Sequence, residues 1–123
     1  MPSRPLVSVV DDDLSVRESL PDLLETFGFS VRAFASAEDF LTSDCVDQTE
    51  CLVLDIAMPG MTGPELQKEM ARRRKLPIVF ITADADDATR SRLIDAGAVD
   101  CLLKPLSESS LLGAINAALG RDA

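Results

Sequence analysis

Cys51-Leu52-Val53-Leu54-Asp55-Ile56-Ala57-Met58-Pro59-Gly60-Met61-Thr62-Gly63 is the stretch whose reading decides the fold. It opens as a short apolar run, the length of a strand buried on both faces, and passes through a carboxylate into turn-forming Pro and Gly. A carboxylate at the end of a buried strand is costly unless chemistry or a cation requires it there. Three other runs stop in the same manner: Leu6-Val7-Ser8-Val9-Val10 before Asp11-Asp12-Asp13, Ile78-Val79-Phe80-Ile81 before Thr82, and Cys101-Leu102-Leu103 before Lys104. If these strands lie parallel, acids, a hydroxyl and an ammonium gather at one edge, where open α/β sheets bind ligands.

Helical signals fill the spaces between strands. Val16, Leu20, Leu23, Leu24 and Phe27 share one helical face, and Gly28 supplies the stop. Asp13 directly precedes this helix and reads as its N-cap. Pro21 lies inside it and removes one backbone hydrogen bond, at about 3 kcal/mol, which predicts a kink or an altered first half. A strand from Ser30 to Phe34 precedes Ser36-Ala37-Glu38-Asp39, a start resembling a capping box for a short helix through Leu41, and residues 42–50 form a polar loop. A helix from about Pro64 to Arg74 follows the Asp55 loop. Pro77 opens strand four, Asp84 to Asp87 begin a helix ending at Ala96-Gly97, and a strand from about Asp100 to Leu103 precedes a helix carrying Leu111, Leu112, Ile115 and Leu119. The sum is (βα)5. Right-handed crossovers then predict an α/β, flavodoxin-like, doubly wound parallel sheet in the order 2-1-3-4-5, with helices on both faces.

Composition agrees with a single domain across residues 1–123. The hydrophobic content of 46% supports a core, and the absence of Trp and Tyr makes that core aliphatic. A net charge of −9 repels a phosphate backbone, so nucleic acid is not a direct partner. The one basic run, Arg72-Arg73-Arg74-Lys75, reads as a solvated helix end favoured by the helix dipole. Cys45, Cys51 and Cys101 are odd in number and lack metal-ligand spacing, which predicts reduced thiols and a cytoplasmic setting. No apolar stretch reaches the ~20 residues of a membrane span, and Met1-Pro2-Ser3-Arg4-Pro5 has no signal-like apolar region after its charge.

In the 2-1-3-4-5 order strands one and three are neighbours, which sets Asp11 and Asp12 beside Asp55, with Thr82 and Lys104 at the next two strand ends. Two unit charges about 4 Å apart repel by roughly 4 kcal/mol at an effective dielectric of about 20, so three carboxylates in one cleft call for a cation. Oxygen-only ligands select a hard ion, and partly hydrated Mg2+ suits such a shallow site, with Mn2+ able to stand in.

Asp11-Asp12, the segment LVLDIAMPGMTG around Asp55, Thr82-Ala83, and AGAVDCLLKP ending at Lys104-Pro105 together resemble the receiver domain of bacterial two-component response regulators, from about Leu6 to Leu119. The resemblance implies a signalling switch rather than an enzyme acting on a free substrate. Asp55 matches the phosphoacceptor, which takes a phosphoryl group from a phosphohistidine of a sensor histidine kinase. Asp12 matches the direct Mg2+ ligand, Asp11 its water-mediated neighbour, and the Ala57 backbone carbonyl a further ligand. Lys104 matches the residue that pairs with a phosphoryl oxygen, Thr82 the hydroxyl that swings to another, and Pro105 a cis proline. The output implied is a changed surface on helix four, strand five and helix five, homodimerisation through it, and control of a transcriptional effector. A stand-alone receiver that relays phosphate, or serves as an interaction module, is the other reading.

One position departs from the family pattern. Receivers usually carry Tyr or Phe three residues before the Lys, where this chain has Cys101. Cys101 is too small to act as an inward-turning reporter, so the signal is expected to travel through backbone and loop rearrangement around Thr82, Ala83 and helix four; a plain core role for Cys101 is the alternative. Ala57 cannot orient an attacking water, while Asp84 presents a carboxylate near the pocket mouth, which together predict slow to moderate self-hydrolysis. An Asp-nucleophile phosphatase of the haloacid dehalogenase type needs a second Asp where this chain has Ala57. A flavin binder needs a Gly-rich loop after strand one, which is absent.

Overall fold

Residues 4–84 and 86–120 are described by a computed structural model, and in them strands and helices alternate throughout. Strands β1 (Leu6–Val10), β2 (Ser30–Phe34), β3 (Cys51–Asp55), β4 (Ile78–Thr82) and β5 (Asp100–Leu103) pair in parallel in the order β2-β1-β3-β4-β5. Helices α1 (Leu14–Thr26), α2 (Ala37–Leu41), α3 (Gly63–Arg73), α4 (Asp87–Asp95) and α5 (Glu108–Ala118) complete the crossovers. The flavodoxin-like order expected from the sequence is the one observed.

Alternation along the strands splits the core in two. Leu52 and Leu54 of β3 join Val10, Phe80, Phe40, Leu66, Met70 and Leu93 on one side of the sheet. Cys51 and Val53 join Val7, Val9, Ile81, Leu20, Leu24, Leu111 and Ile115 on the other. Every residue of β3 and β4 is buried, as continuous apolar runs in a doubly covered sheet require. Each Leu buried on β3 contributes roughly 1.5–3 kcal/mol, so the strand that carries Asp55 is among the most firmly held.

Several boundaries depart from expectation for local reasons. α3 starts one residue early because Thr62 and Glu65 form a reciprocal capping box, with Pro64 in the first turn. α1 runs from Leu14 to Thr26 with Pro21 inside it, so no break divides its first half. Leu20 and Leu24, buried on either side of the proline, tie both halves to one core, and Asp13 caps the start as expected. Arg72 and Arg73 pair with Glu69 at the surface, as a solvated helix end would, whereas Arg74 turns inward. Its guanidinium donates to the carbonyls of Val46 and Thr49, because that loop leaves backbone acceptors without a strand partner. All three cysteines are buried free thiols. No helix among the described residues is long and apolar enough to cross a membrane.

Candidate functional site

Parallel register assembles the site at the C-terminal edge of the sheet. Val10 lies opposite Leu54, so the next residues of the two chains, Asp11 and Asp55, come side by side at the junction of β1 and β3. The carboxylates of Asp11, Asp12 and Asp55 offer oxygens that all lie within 4.8 Å of one another. Asp11 is fully buried, Asp55 is 6% exposed, and Asp12 faces solvent. This is the crevice at which strand order reverses.

Fixed donors orient these acids. Asp11 Oδ1 accepts from the Asp13 backbone N–H at 2.9 Å. Asp11 Oδ2 is buried without a hydrogen bond and is balanced by the ammonium of Lys104, whose Nζ lies 2.8 Å away. The same Nζ stands 3.9 Å from Asp55 Oδ1. Lys104 is thus the one cation that both buried acids share among the described ion pairs.

Burial pushes the Asp55 carboxyl up to about 7, the Asp11 charge adds to the effect, and the pull of Lys104 offsets it only in part. For Lys104, burial acts downward, but the Asp11 contact and the charges of Asp55, Asp11 and Asp13 outweigh it and hold the ammonium above its ordinary range. Asp13 serves the cap: hydrogen bonds from the Ser15 hydroxyl and backbone hold its carboxyl below the usual range.

The donor set fits a hard divalent cation. It consists of carboxylate oxygens, with one buried oxygen lacking a hydrogen bond and with Asp12 open to water, which leaves room for a partly hydrated ion. One lysine does not neutralise three carboxylates, and the Asp11 charge adds to the burial that raises the Asp55 carboxyl.

The remaining expected residues occupy the rim. Thr82 is buried at the end of β4, but its hydroxyl donates to the Asp84 carbonyl at 2.9 Å and accepts from the Asp84 N–H at 3.2 Å. It is therefore engaged in a local turn and not with Asp55. Ala57, Ala83, Asp84 and Pro105 are exposed on the surrounding loops, and the Lys104–Pro105 peptide is cis. Cys101 is not at the edge. It is buried in the core beneath α4, with Phe80 and Leu93 in the same cluster, and burial raises its thiol.

Three residues that shape the site were not singled out from sequence. Arg17 Nη1 donates to the Asp11 carbonyl at 3.0 Å, from one turn into α1. Glu38 Oε2 accepts from the Met61 N–H at 3.0 Å and ties α2 to the loop after β3. Gly63 approaches the Asp55 backbone so closely that a Cβ would lie 2.3 Å from the Asp55 carbonyl oxygen. The spacing Pro59-Gly60-Met61-Thr62-Gly63 signalled a turn, while the need for a bare backbone at Gly63 arises from packing across the loop.

A family model described as the response regulator receiver domain matches residues 7–116. The chain belongs to that family. It is 44% identical to Nodulation protein W of Bradyrhizobium diazoefficiens over 121 residues, covering 98% of this chain and 53% of that protein. It is 44% identical to transcriptional regulatory protein TdiR of Thauera aromatica over 114 residues, covering 92% of this chain and 50% of that protein. Among solved structures, response regulator StyR superposes with a TM-score of 0.87 at 48% identity, over 96% of this chain and 60% of that one. The chain spans about half the length of the curated relatives it matches. A receiver domain places it in two-component signalling, as a switch rather than a conventional enzyme.

Proposed function

We propose that residues 1–123 form one receiver domain that accepts a phosphoryl group on Asp55 from a sensor histidine kinase. The observation that carries this reading is the convergence of Asp11, Asp12 and Asp55 within 4.8 Å, with Lys104 set between the two buried acids. An Asp55 carboxylate oxygen attacks the phosphorus of the phosphohistidine. The new P–O bond forms as the P–N bond breaks, and the imidazole leaves with the electron pair and takes up a proton. Lys104 gives up part of its hold on Asp11 to meet a phosphoryl oxygen, and Thr82 exchanges its Asp84 contacts for another. Asp11, Asp12, Asp55 and the Ala57 carbonyl would hold Mg2+, which when bound neutralises charge on the transferring group. No side-chain base is needed, since the nucleophile reacts as its carboxylate.

Once phosphorylated, the domain is proposed to alter the surface of α4, β5 and α5, where Leu103 stands 59% exposed, and to pair with a second copy there. Because Cys101 is enclosed in the core, the change passes through the loop after β4 and through α4. The likeness to TdiR of Thauera aromatica, a transcriptional regulatory protein, favours a transcriptional effector. Cytoplasmic placement fits a partnership with such an effector.

Magnesium tests the site directly. The unfolded Asp55 carboxyl titrates near 3.9, and the folded one without metal near 7, so the native state holds the proton more tightly. The stability that proton confers is full below about pH 4 and is lost as pH rises to about 7. Mg2+ needs the carboxylate, so a tenfold excess over Kd is expected to add about 1.4 kcal/mol at pH 8 and far less at pH 5 in scanning calorimetry. EDTA is expected to block labelling by acetyl phosphate at pH 8. Equal stabilisation at both pH values, or labelling that persists in EDTA, contradicts the proposal.

The lifetime of the phosphorylated state rests on a rim residue. Ala57 presents only a methyl where an amide could orient water. Ala57→Asn is expected to speed phosphate release by about tenfold, less than a positioned acid or base would give, because an amide orients the water without taking its proton. A release rate within twofold of the parent removes Ala57 from the account.

A further inference from the structure

We propose that the groove between α3 and α4 is a docking site for an acidic amphipathic helix of a partner protein. Pro64, Gln67, Lys68 and Ala71 of α3 face Thr89, Arg92, Leu93 and Ala96 of α4 and its C-terminal cap across a cavity of about 370 Å³. Both sets fall at positions i, i+3, i+4 and i+7, so each helix turns one continuous face into the groove. Gln67 and Leu93 are buried and form the floor, where the Gln67 amide donates to the Leu93 carbonyl at 3.3 Å. Ala71 and Ala96 are exposed and short, which lets a third helix backbone approach. A third helix laid along this trough meets two parallel faces at the spacing of its own anchors.

Charge selects the occupant. The chain carries −9, yet the only ionisable residues lining this groove are Lys68 and Arg92, one on each wall. Neither makes a salt bridge among the described residues, and Arg92 bonds only the Thr89 hydroxyl. Glu65 belongs to the α3 capping box, Glu69 pairs with Arg72 and Arg73, and Asp86 caps α4, so these acids hold other partners, although the charges of Lys68 and Arg92 also act on Glu65 and Asp86. An adjoining cavity shares Gln67, Ala71 and Ala96, continues to the run Arg72-Arg73-Arg74-Lys75, and has no acid in its lining. A cationic rim over an uncharged floor on an otherwise acidic molecule complements a helix with a small aliphatic seam and Glu or Asp on its flanks. Such rims steer encounter and weaken with salt.

The test uses the unphosphorylated protein, so it stands apart from the chemistry at Asp55. A displayed library of stapled helical peptides about four turns long is selected against the domain, and enriched peptides are measured by fluorescence anisotropy. Enriched sequences are expected to share an apolar seam with acidic flanks and to bind more weakly as salt rises. Binding is expected to fall by about tenfold or more in Lys68→Glu/Arg92→Glu, and likewise in Ala71→Leu, which fills the trough. All three positions are exposed, so melting temperatures should match the parent. Failure to enrich acidic helices, or binding indifferent to these variants, overturns the proposal. So does loss in the same variants of binding to anionic vesicles, of binding to duplex DNA, or of self-association, any of which gives the face to a different occupant.

Discussion

Lys104→Met is expected to lose about 10²–10³-fold in the rate of phosphoryl uptake from acetyl phosphate, the cost of removing one fixed donor from a developing oxyanion. The ammonium sits 2.8 Å from Asp11 Oδ2 and 3.9 Å from Asp55 Oδ1, so a short shift brings it to an oxygen of a group attached at Asp55. Methionine keeps most of the length of the side chain and removes the charge. It also strands Asp11 Oδ2, which is buried and has no hydrogen bond. Leaving a buried carboxylate oxygen unpaired costs about 2 kcal/mol, so metal-free Lys104→Met should also melt early. The two effects separate with magnesium, which should restore most of the stability and little of the rate. A variant that takes up phosphoryl at the parental rate removes Lys104 from the transfer step.

Gly63→Ala is expected to be the most damaging small substitution near the site. The added methyl would lie 2.3 Å from the Asp55 carbonyl oxygen, 3.0 Å from Ile56 Cα and 3.1 Å from the Phe80 ring. Two of these neighbours are backbone, one at Asp55 and one at the residue that follows β3, and neither can move without moving the site. Overpacking of this kind costs about 3 kcal/mol, or roughly 10 °C in Tm for a domain of this size. Gly60→Ala supplies the comparison. There the close neighbour is Glu38 Oε2 at 2.7 Å, the tip of a side chain that can swing away, although a φ of 75° adds backbone strain. Its loss should stay near 1 kcal/mol. If thermal unfolding ranks the two in the opposite order, the tight seam between α3 and Asp55 is not what holds this loop.

The contrast also shows what a sequence reveals and what it hides. Strand ends were legible because the same signal repeats: an apolar run that stops at a polar residue, followed by turn residues. Asp11, Asp12, Asp55 and Lys104 each stand at such a stop, and the sheet order brings them together. Thr82 was legible as a strand end, but the turn it forms with Asp84 depends on loop geometry that spacing does not encode. Arg74 was read with its neighbours as a solvated cation, because nothing local distinguishes it from Arg72 and Arg73. Its partners, the carbonyls of Val46 and Thr49, lie far back in the chain. Pro21 did not interrupt α1, where buried Leu20 and Leu24 hold the helix on both sides of it. At Arg74 it was contact between distant segments that decided the outcome.

The central claim concerns one carboxylate, and intact-mass spectrometry tests it most directly. Parent protein treated with acetyl phosphate and magnesium should gain the mass of one phosphoryl group, with borohydride trapping placing the modification at Asp55. Asp55→Asn, which removes the nucleophile and keeps the shape, should gain nothing under the same conditions. An unlabelled parent protein, or an Asp55→Asn variant labelled to the same extent, would contradict the account.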